Sequence, residues 1–163
     1  MSTPASIARH PIHPILVGLP IGLWTFSVIA DVIYALGWGG SSWKTVAFYC
    51  IGGGIVAALI AAVPGFMDFL SISDAGVWRV SVFHMAANLT AVVVYAISFV
   101  LRWAGSVGFL PVAVSILGLI FLGVAGWLGG ELVFVHNMGV TPPRAAPRHQ
   151  SASVSQRRRA SGG

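Results

Sequence analysis

The sequence predicts an all-α integral membrane protein whose core is a bundle of four transmembrane helices. Hydrophobic residues make up 56% of the 163-residue chain, charged residues only 8%, and the mean hydropathy is +0.87. A soluble domain usually carries about 25% charged residues, because its surface faces water. Four long apolar segments, separated by turn residues or charges, account for most of this chain. Lipid is therefore expected to surround most of the protein surface.

The four apolar segments cover about residues 12–36, 46–70, 80–101 and 110–135. Each contains about 20 residues or more, which is enough for a helix to cross a hydrocarbon layer ~30 Å thick. Together they form one predicted membrane domain over residues 9–140. Pro20 and Pro64 lie inside the first two segments and should kink them. Residues 141–163 are rich in Pro, Ser, Ala and Arg, and they predict a disordered basic tail.

Positive charges predict the orientation of the spans. With four crossings, both termini and the middle loop share one side, which holds Arg9, Arg79, Arg144, Arg148, Arg157, Arg158 and Arg159. The other side holds Lys44 and Arg102. Because positively charged loops stay in the cytoplasm, both termini are predicted to be cytoplasmic. The same asymmetry accounts for the net charge of +5, so no nucleic-acid partner is predicted.

Ionisable side chains from all four predicted helices converge on the cytoplasmic end. They are His10, His13, Asp68, His84, Glu131 and His136. Membrane segments tolerate such groups poorly, so their common position indicates either a site or a set of internal contacts. His84 and Asn88 share one face of the third helix, which is expected to face the bundle interior.

The stretch HPIHP at residues 10–14 opens the first segment. Proline pushes the residue before it toward extended geometry, and polyproline II repeats every three residues. His10 and His13 are therefore predicted to face the same way, about 9 Å apart.

Asp31 lies in the first segment but belongs to the other end of the bundle. It follows His13 by 18 residues, which is about 27 Å along a helix at about 1.5 Å per residue. This places it level with Arg102 and Lys44, so an ion pair with one of them is predicted.

Haem binding is the first functional hypothesis. Neutral imidazole suits the axial positions of haem iron, and two histidines from different helices at similar depth could supply both. The hypothesis is a haem b protein that acts as an electron-transfer accessory subunit. His84 is the first predicted ligand, with His136 or His13 opposite, and His10 is a further candidate. Three glycines are expected to let the macrocycle approach the backbone: Gly65, Gly129 and Gly130.

Binding of a transition metal ion is the second hypothesis. Nitrogen and oxygen ligands of this kind suit zinc, iron or copper. The ligands would come from His10, His13, His84, His136, Asp68 and Glu131.

Two further hypotheses need no cofactor. Proton or ion transport uses kinked helices with Asp, Glu and His in the membrane, although no internal repeat with broken helices is evident. A structural accessory subunit would pair the polar groups with one another, for example His84 with Asp68 or His136 with Glu131. Stand-alone catalysis is not predicted, because the sequence contains no nucleophile–base set, phosphate loop or nucleotide-binding fingerprint.

Five stretches of the sequence resemble one known family. HPIHP, LVGLPIGLW, AAVPGFMDFL, HMAANL and GGELVFVHNMGV together are similar to the small membrane proteins catalogued as domain of unknown function 2231, over about residues 9–140. The resemblance implies a four-helix membrane protein of bacterial or archaeal origin, and we expect a bacterial inner membrane as its location. Some members of that family are joined to Rieske-type iron–sulfur domains, so a Rieske-type redox partner is implied as well. The chain has no Rieske cysteine–histidine pattern of its own, and a homo-oligomer is compatible with its sequence.

Overall fold

A computed structural model of the protein describes residues 4–8, 10–106 and 108–140. The tail predicted at 141–163 lies outside these residues. Four helices are long and apolar enough to cross a membrane, and they span Ile12–Ala35, Ser42–Leu70, Ala75–Trp103 and Phe109–Phe134. The prediction of an all-α protein with four transmembrane helices is therefore confirmed.

Seven elements follow one another along the described chain. Two short strands, β1 (Ser6–Ile7) and β2 (His10–Pro11), pair antiparallel at the N-terminal end. Five helices follow them: α1 (Ile12–Leu16), α2 (Gly18–Ala35), α3 (Ser42–Leu70), α4 (Ala75–Trp103) and α5 (Phe109–Phe134). The strands were not predicted, and they place His10 in β2 and His13 in α1. The predicted extended geometry is present at His10 and Pro11, where Pro11 has φ −66° and ψ 128°, but it is wrong for His13, which is helical.

The two prolines predicted to kink helices have different effects. Pro20 has no N–H group to donate to the carbonyl of Leu16, four residues earlier, and Val17 separates α1 from α2. Val17 nevertheless keeps helical dihedral angles, and its carbonyl accepts from the N–H of Ile21 at 3.3 Å. Pro64 also lacks this donor, but α3 continues through it without a break.

The cap of α4 explains why this helix begins earlier than its apolar segment. Asp74 Oδ1 accepts hydrogen bonds from the N–H groups of Gly76 and Val77, both at 2.9 Å. An acidic side chain in this position stabilises the start of a helix. α4 therefore starts at Ala75, ahead of the predicted start near residue 80.

The bundle consists of two helical hairpins, and the second repeats the first. The first hairpin contains α1, α2 and α3, and the second contains α4 and α5. Asp31 and Arg102 are 71 residues apart, and three further pairs share this separation: His13 and His84, Trp24 and Tyr95, and Ser27 and Ser98. In the second long helix of each hairpin, α3 and α5, equivalent residues are 64 positions apart. The pairs are Gly54 and Gly118, Ala61 and Ala125, and Gly65 and Gly129. The sequence reading missed this internal repeat.

Equivalent side chains of the two hairpins contact each other at the centre of the bundle. Trp24 stacks on Tyr95 with ring centres 4.3 Å apart and ring planes 9° from parallel, and both side chains are buried. A Cβ atom on Gly54 would overlap with Trp24, and one on Gly118 would come within 2.7 Å of Tyr95. Contact between equivalent positions is characteristic of a two-fold interface, so the hairpins are related by an internal pseudo-two-fold axis.

An ion pair joins the hairpins at one end of this axis. Arg102 donates from Nη1 to Asp31 Oδ1 at 2.9 Å and from Nη2 to Asp31 Oδ2 at 2.6 Å. The side chains are only 11% and 3% exposed, and the Ser98 and Ser115 hydroxyls lie within 3.4 Å of the guanidinium. The ion pair predicted for Asp31 is confirmed, with Arg102 as its partner. Bidentate pairs of this kind are among the strongest charge-assisted hydrogen bonds.

Replacing Asp31 or Arg102 with Ala should lower the free energy of unfolding by about 3–5 kcal/mol, because it leaves a buried charge without a partner. Chemical unfolding in detergent, followed by Trp fluorescence, measures this loss. The control is Lys44→Ala, which removes a cation–π contact with Tyr34 and should cost no more than about 1 kcal/mol. The double reversal Asp31→Arg with Arg102→Asp should recover part of the loss. A loss no larger than that of the control would contradict the role of the ion pair.

Candidate functional site

His13 and His84 form a pair at the end of the bundle opposite the ion pair. His13 lies in α1 and His84 in α4, and their ring centres are 6.2 Å apart with the ring planes at 87°. They are equivalent positions of the two hairpins, so the pair lies on the pseudo-two-fold axis. We call this end of the bundle the histidine end.

Each imidazole is anchored to a backbone carbonyl of its own hairpin. His13 Nδ1 lies 2.8 Å from the Ala61 oxygen, and His84 Nδ1 lies 2.9 Å from the Ala125 oxygen. A carbonyl oxygen can only accept, so Nδ1 carries the hydrogen in both rings. When neutral, each ring therefore carries its lone pair on Nε2. A nitrogen with such a lone pair can ligate a metal.

A glycine makes room for each imidazole. A Cβ atom on Gly65 would come within 2.7 Å of His13 Nδ1, and one on Gly129 within 3.0 Å of His84 Cε1. These two glycines were expected to accommodate a macrocycle, but the space beside them is taken by the histidine rings themselves. Gly130 has no histidine within 4 Å of its Cβ position.

Asn88 holds the ring of His84 from the same helix. Its Nδ2 donates to the His84 carbonyl at 2.9 Å and lies 3.1 Å from Nε2 and 3.5 Å from Nδ1 of the ring. The two ring nitrogens point away from each other on either side of Cε1. Because the Asn88 nitrogen is close to both, it lies over the face of the ring and not along the lone pair of either nitrogen. Val17 is the equivalent residue of the first hairpin, so His13 has no such contact.

Asn88 was predicted to share the interior face of its helix with His84, but it was not among the candidate ligands. Its spacing of four residues from His84 was the available signal. The carbonyl acceptors at Ala61 and Ala125 have no sequence signal of this kind, since every residue carries a carbonyl.

Asp68 and His10 lie near the histidine pair but have other contacts. Asp68 is 6% exposed, and its Oδ1 accepts a hydrogen bond from the backbone N–H of Ala5 at 2.9 Å. His10 is exposed, and its Nδ1 lies 3.0 Å from the Ala8 oxygen. Asp68 therefore fixes the N-terminal segment to the end of α3.

Glu131 lies near the end of α5, and His136 follows that helix. Glu131 lines a groove on the outer face of α5, together with Gly126, Trp127, Gly130, Phe134 and Val135. His136 donates its backbone N–H to the Glu131 carbonyl at 3.2 Å. Within residues 4–8, 10–106 and 108–140, no three His, Cys, Asp or Glu side chains come together as a metal site. The described chain also shows neither the His84–Asp68 nor the His136–Glu131 pair that a structural role predicted.

The match to a protein-family model identifies the relatives of this chain. The family is described as predicted membrane protein (DUF2231), and its model covers residues 9–142. The chain belongs to this family. The resemblance inferred from the five sequence stretches is thereby confirmed, as is a location in a membrane. No curated protein and no solved structure matches the chain.

Gly65→Ala and Gly129→Ala should displace the imidazoles of His13 and His84 from their carbonyl acceptors. Overpacking of this kind should also cost about 1–3 kcal/mol of stability. The ¹⁵N NMR spectrum of the histidine side chains reports the hydrogen on Nδ1 directly. Gly126→Ala is the matched control on α5, since its Cβ would meet nothing within 4 Å. Unchanged histidine spectra in both site variants would contradict this account of the glycines.

Proposed function

We propose that the protein binds a b-type haem through His13 and His84 and acts as a small electron-transfer accessory subunit of the membrane. The observation that supports this most is the pair of imidazoles, each with Nδ1 bound to a carbonyl and Nε2 left as the free lone pair. His13 and His84 would hold the group from opposite hairpins, since their ring centres lie 6.2 Å apart on the pseudo-two-fold axis.

The number of ligands favours haem over a bare metal ion. Zinc takes three or four protein ligands, whereas the described residues bring only two histidines together. Haem iron needs only two axial ligands from the protein. When bound, haem would supply one-electron redox chemistry.

A buried hydroxyl group also fits a polar ligand at the histidine end. Ser81 lies three residues before His84, is 5% exposed, and its Oγ has no hydrogen-bond partner within the described chain. Buried hydroxyls normally have a partner, and the propionates of haem are polar groups of the kind that could provide one.

The excess of Arg on the side of the termini supports a cytoplasmic histidine end in a bacterial inner membrane. A redox partner would then meet the haem near the cytoplasmic surface. The family resemblance suggests a Rieske-type protein for this role.

A structural accessory subunit without a cofactor is the second candidate. It is favoured by the ion pair of Asp31 with Arg102 and by the carbonyl anchors of both histidines, since these contacts satisfy polar groups within the bundle. Transport has less support, because the Trp24–Tyr95 stack fills the centre of the bundle between its two polar ends.

Optical spectra of the protein, produced with added haem precursor and purified in detergent, test the proposal. We expect a Soret band, a low-spin α band on reduction, and about one haem per chain. His13→Ala and His84→Ala should each abolish the low-spin spectrum, while the controls His10→Ala and His136→Ala should leave it unchanged. Absence of both a Soret band and stoichiometric metal would refute haem binding and favour the structural candidate.

A further inference from the structure

We propose that the groove on the outer face of α5 binds a phospholipid whose headgroup carries a primary ammonium group, as in a phosphatidylethanolamine. The carboxylate of Glu131 pairs with the ammonium group, and an acyl chain lies along the groove toward Gly126. This site is separate from the histidine pair and does not depend on the proposed haem.

The carboxylate of Glu131 lacks a positively charged partner. In the part of the chain that the structure describes, the one ion pair is that of Asp31 with Arg102, and no hydrogen bond involves the Glu131 side chain. The last turn of α5 also contains no basic residue, although the C-terminus of a helix carries a partial negative charge that a cation stabilises. The carboxylate and the helix end therefore both favour a cation that the described residues do not supply.

The depth of Glu131 matches that of the lipid headgroups. α5 has 26 residues, which corresponds to about 39 Å of helix at about 1.5 Å per residue. A centred helix of this length extends about 4–5 Å beyond each side of a hydrocarbon layer ~30 Å thick. Glu131 is three residues from the end of α5 and so lies at the edge of that layer. An ammonium headgroup can reach it there while the acyl chains stay among the other lipids.

The groove beside Glu131 is apolar and open to the hydrocarbon layer. Trp127 and Phe134 line it, and they are 79% and 85% exposed. A Cβ atom on Gly126 would meet nothing within 4 Å, and one on Gly130 would meet only Phe134 at 4.0 Å. Because these two glycines have no side chains, the groove has a volume of about 440 Å³, which an acyl chain can enter.

The internal repeat provides a comparison, since the equivalent face of α3 has neither the carboxylate nor the groove. At a separation of 64 residues, Gly126, Gly130 and Glu131 correspond to three exposed residues of α3, which are Ala62, Phe66 and Met67. Both faces are exposed on the outside of the bundle, but only α5 combines a recess with a charge. Contact with bulk lipid tails therefore does not explain these features, whereas a bound headgroup does.

A second copy of the chain fits the groove less well than a lipid. Symmetric association places the same residues of two copies together, so contact through the α5 groove would bring two Glu131 carboxylates close to each other. Juxtaposed like charges oppose association. A lipid ammonium group instead supplies the opposite charge.

Native mass spectrometry of the full chain, released from nanodiscs with equal amounts of phosphatidylethanolamine and phosphatidylglycerol, tests the role of the charge. We expect phosphatidylethanolamine to be retained, and the ratio of the two retained lipids to fall about fivefold in Glu131→Gln, as for loss of one ion pair. Lipid contacts elsewhere on the chain cancel in this comparison. Gly126→Leu should also lower the ratio, whereas the matched control on α3, Ala62→Leu, should not. A ratio unchanged in Glu131→Gln would overturn the proposal.

Photo-cross-linking of the unaltered protein tests the location of the lipid. A phosphatidylethanolamine probe with a photoreactive group in its acyl chain should label residues 126–135 more strongly than the equivalent residues 62–71, and excess unlabelled phosphatidylethanolamine should suppress this difference. Equal labelling of the two segments would overturn the proposal. A dimer in the mass spectrum that Gly126→Leu converts to monomers would also overturn it, because the groove would then be a contact between copies.

Discussion

The stack of Trp24 on Tyr95 is the contact on which the arrangement of the two hairpins depends. It joins equivalent positions at the centre of the bundle, and Gly54 and Gly118 leave the space that its rings fill. Because the axis passes through this stack, equivalent residues at both ends must also meet. At one end they are opposite charges, Asp31 and Arg102, and at the other they are two imidazoles. The internal repeat therefore creates the histidine pair.

The two ends of the axis differ in whether their polar groups are satisfied. Asp31 and Arg102 use their charges and most of their hydrogen-bonding groups on each other and on two serines. The histidines instead use Nδ1 on backbone carbonyls, and the contact near Nε2 of His84 is the Asn88 amide at 3.1 Å. An ion pair of this kind stabilises the assembly, whereas the imidazoles contribute no charge pair of this kind. The difference between Asn88 and Val17 also makes the surroundings of the two histidines unequal.

The sequence was sufficient to predict the features that depend on amino-acid composition and on the depth of a residue in the membrane. It predicted four spans from hydropathy, and it matched Asp31 to the level of Arg102 from 18 residues of helical rise. The repeat is harder to see in the sequence, because the separation of equivalent residues changes from 71 to 64 between the two halves of the hairpins. Two of the equivalent pairs, Trp24 with Tyr95 and Asp31 with Arg102, also differ in chemistry. Depth alone gave four histidine candidates and could not show which of them contact each other. The structure brings His13 and His84 together, through anchors to backbone carbonyls that depend on tertiary packing.

Electron paramagnetic resonance of the oxidised, haem-containing protein tests most directly whether His13 and His84 share one iron. The ring planes at 87° predict the strongly anisotropic low-spin ferric signal that two perpendicular axial imidazoles produce. This signal should disappear when either histidine is replaced. A high-spin signal in the unaltered protein, or a low-spin signal that survives both replacements, would contradict the account.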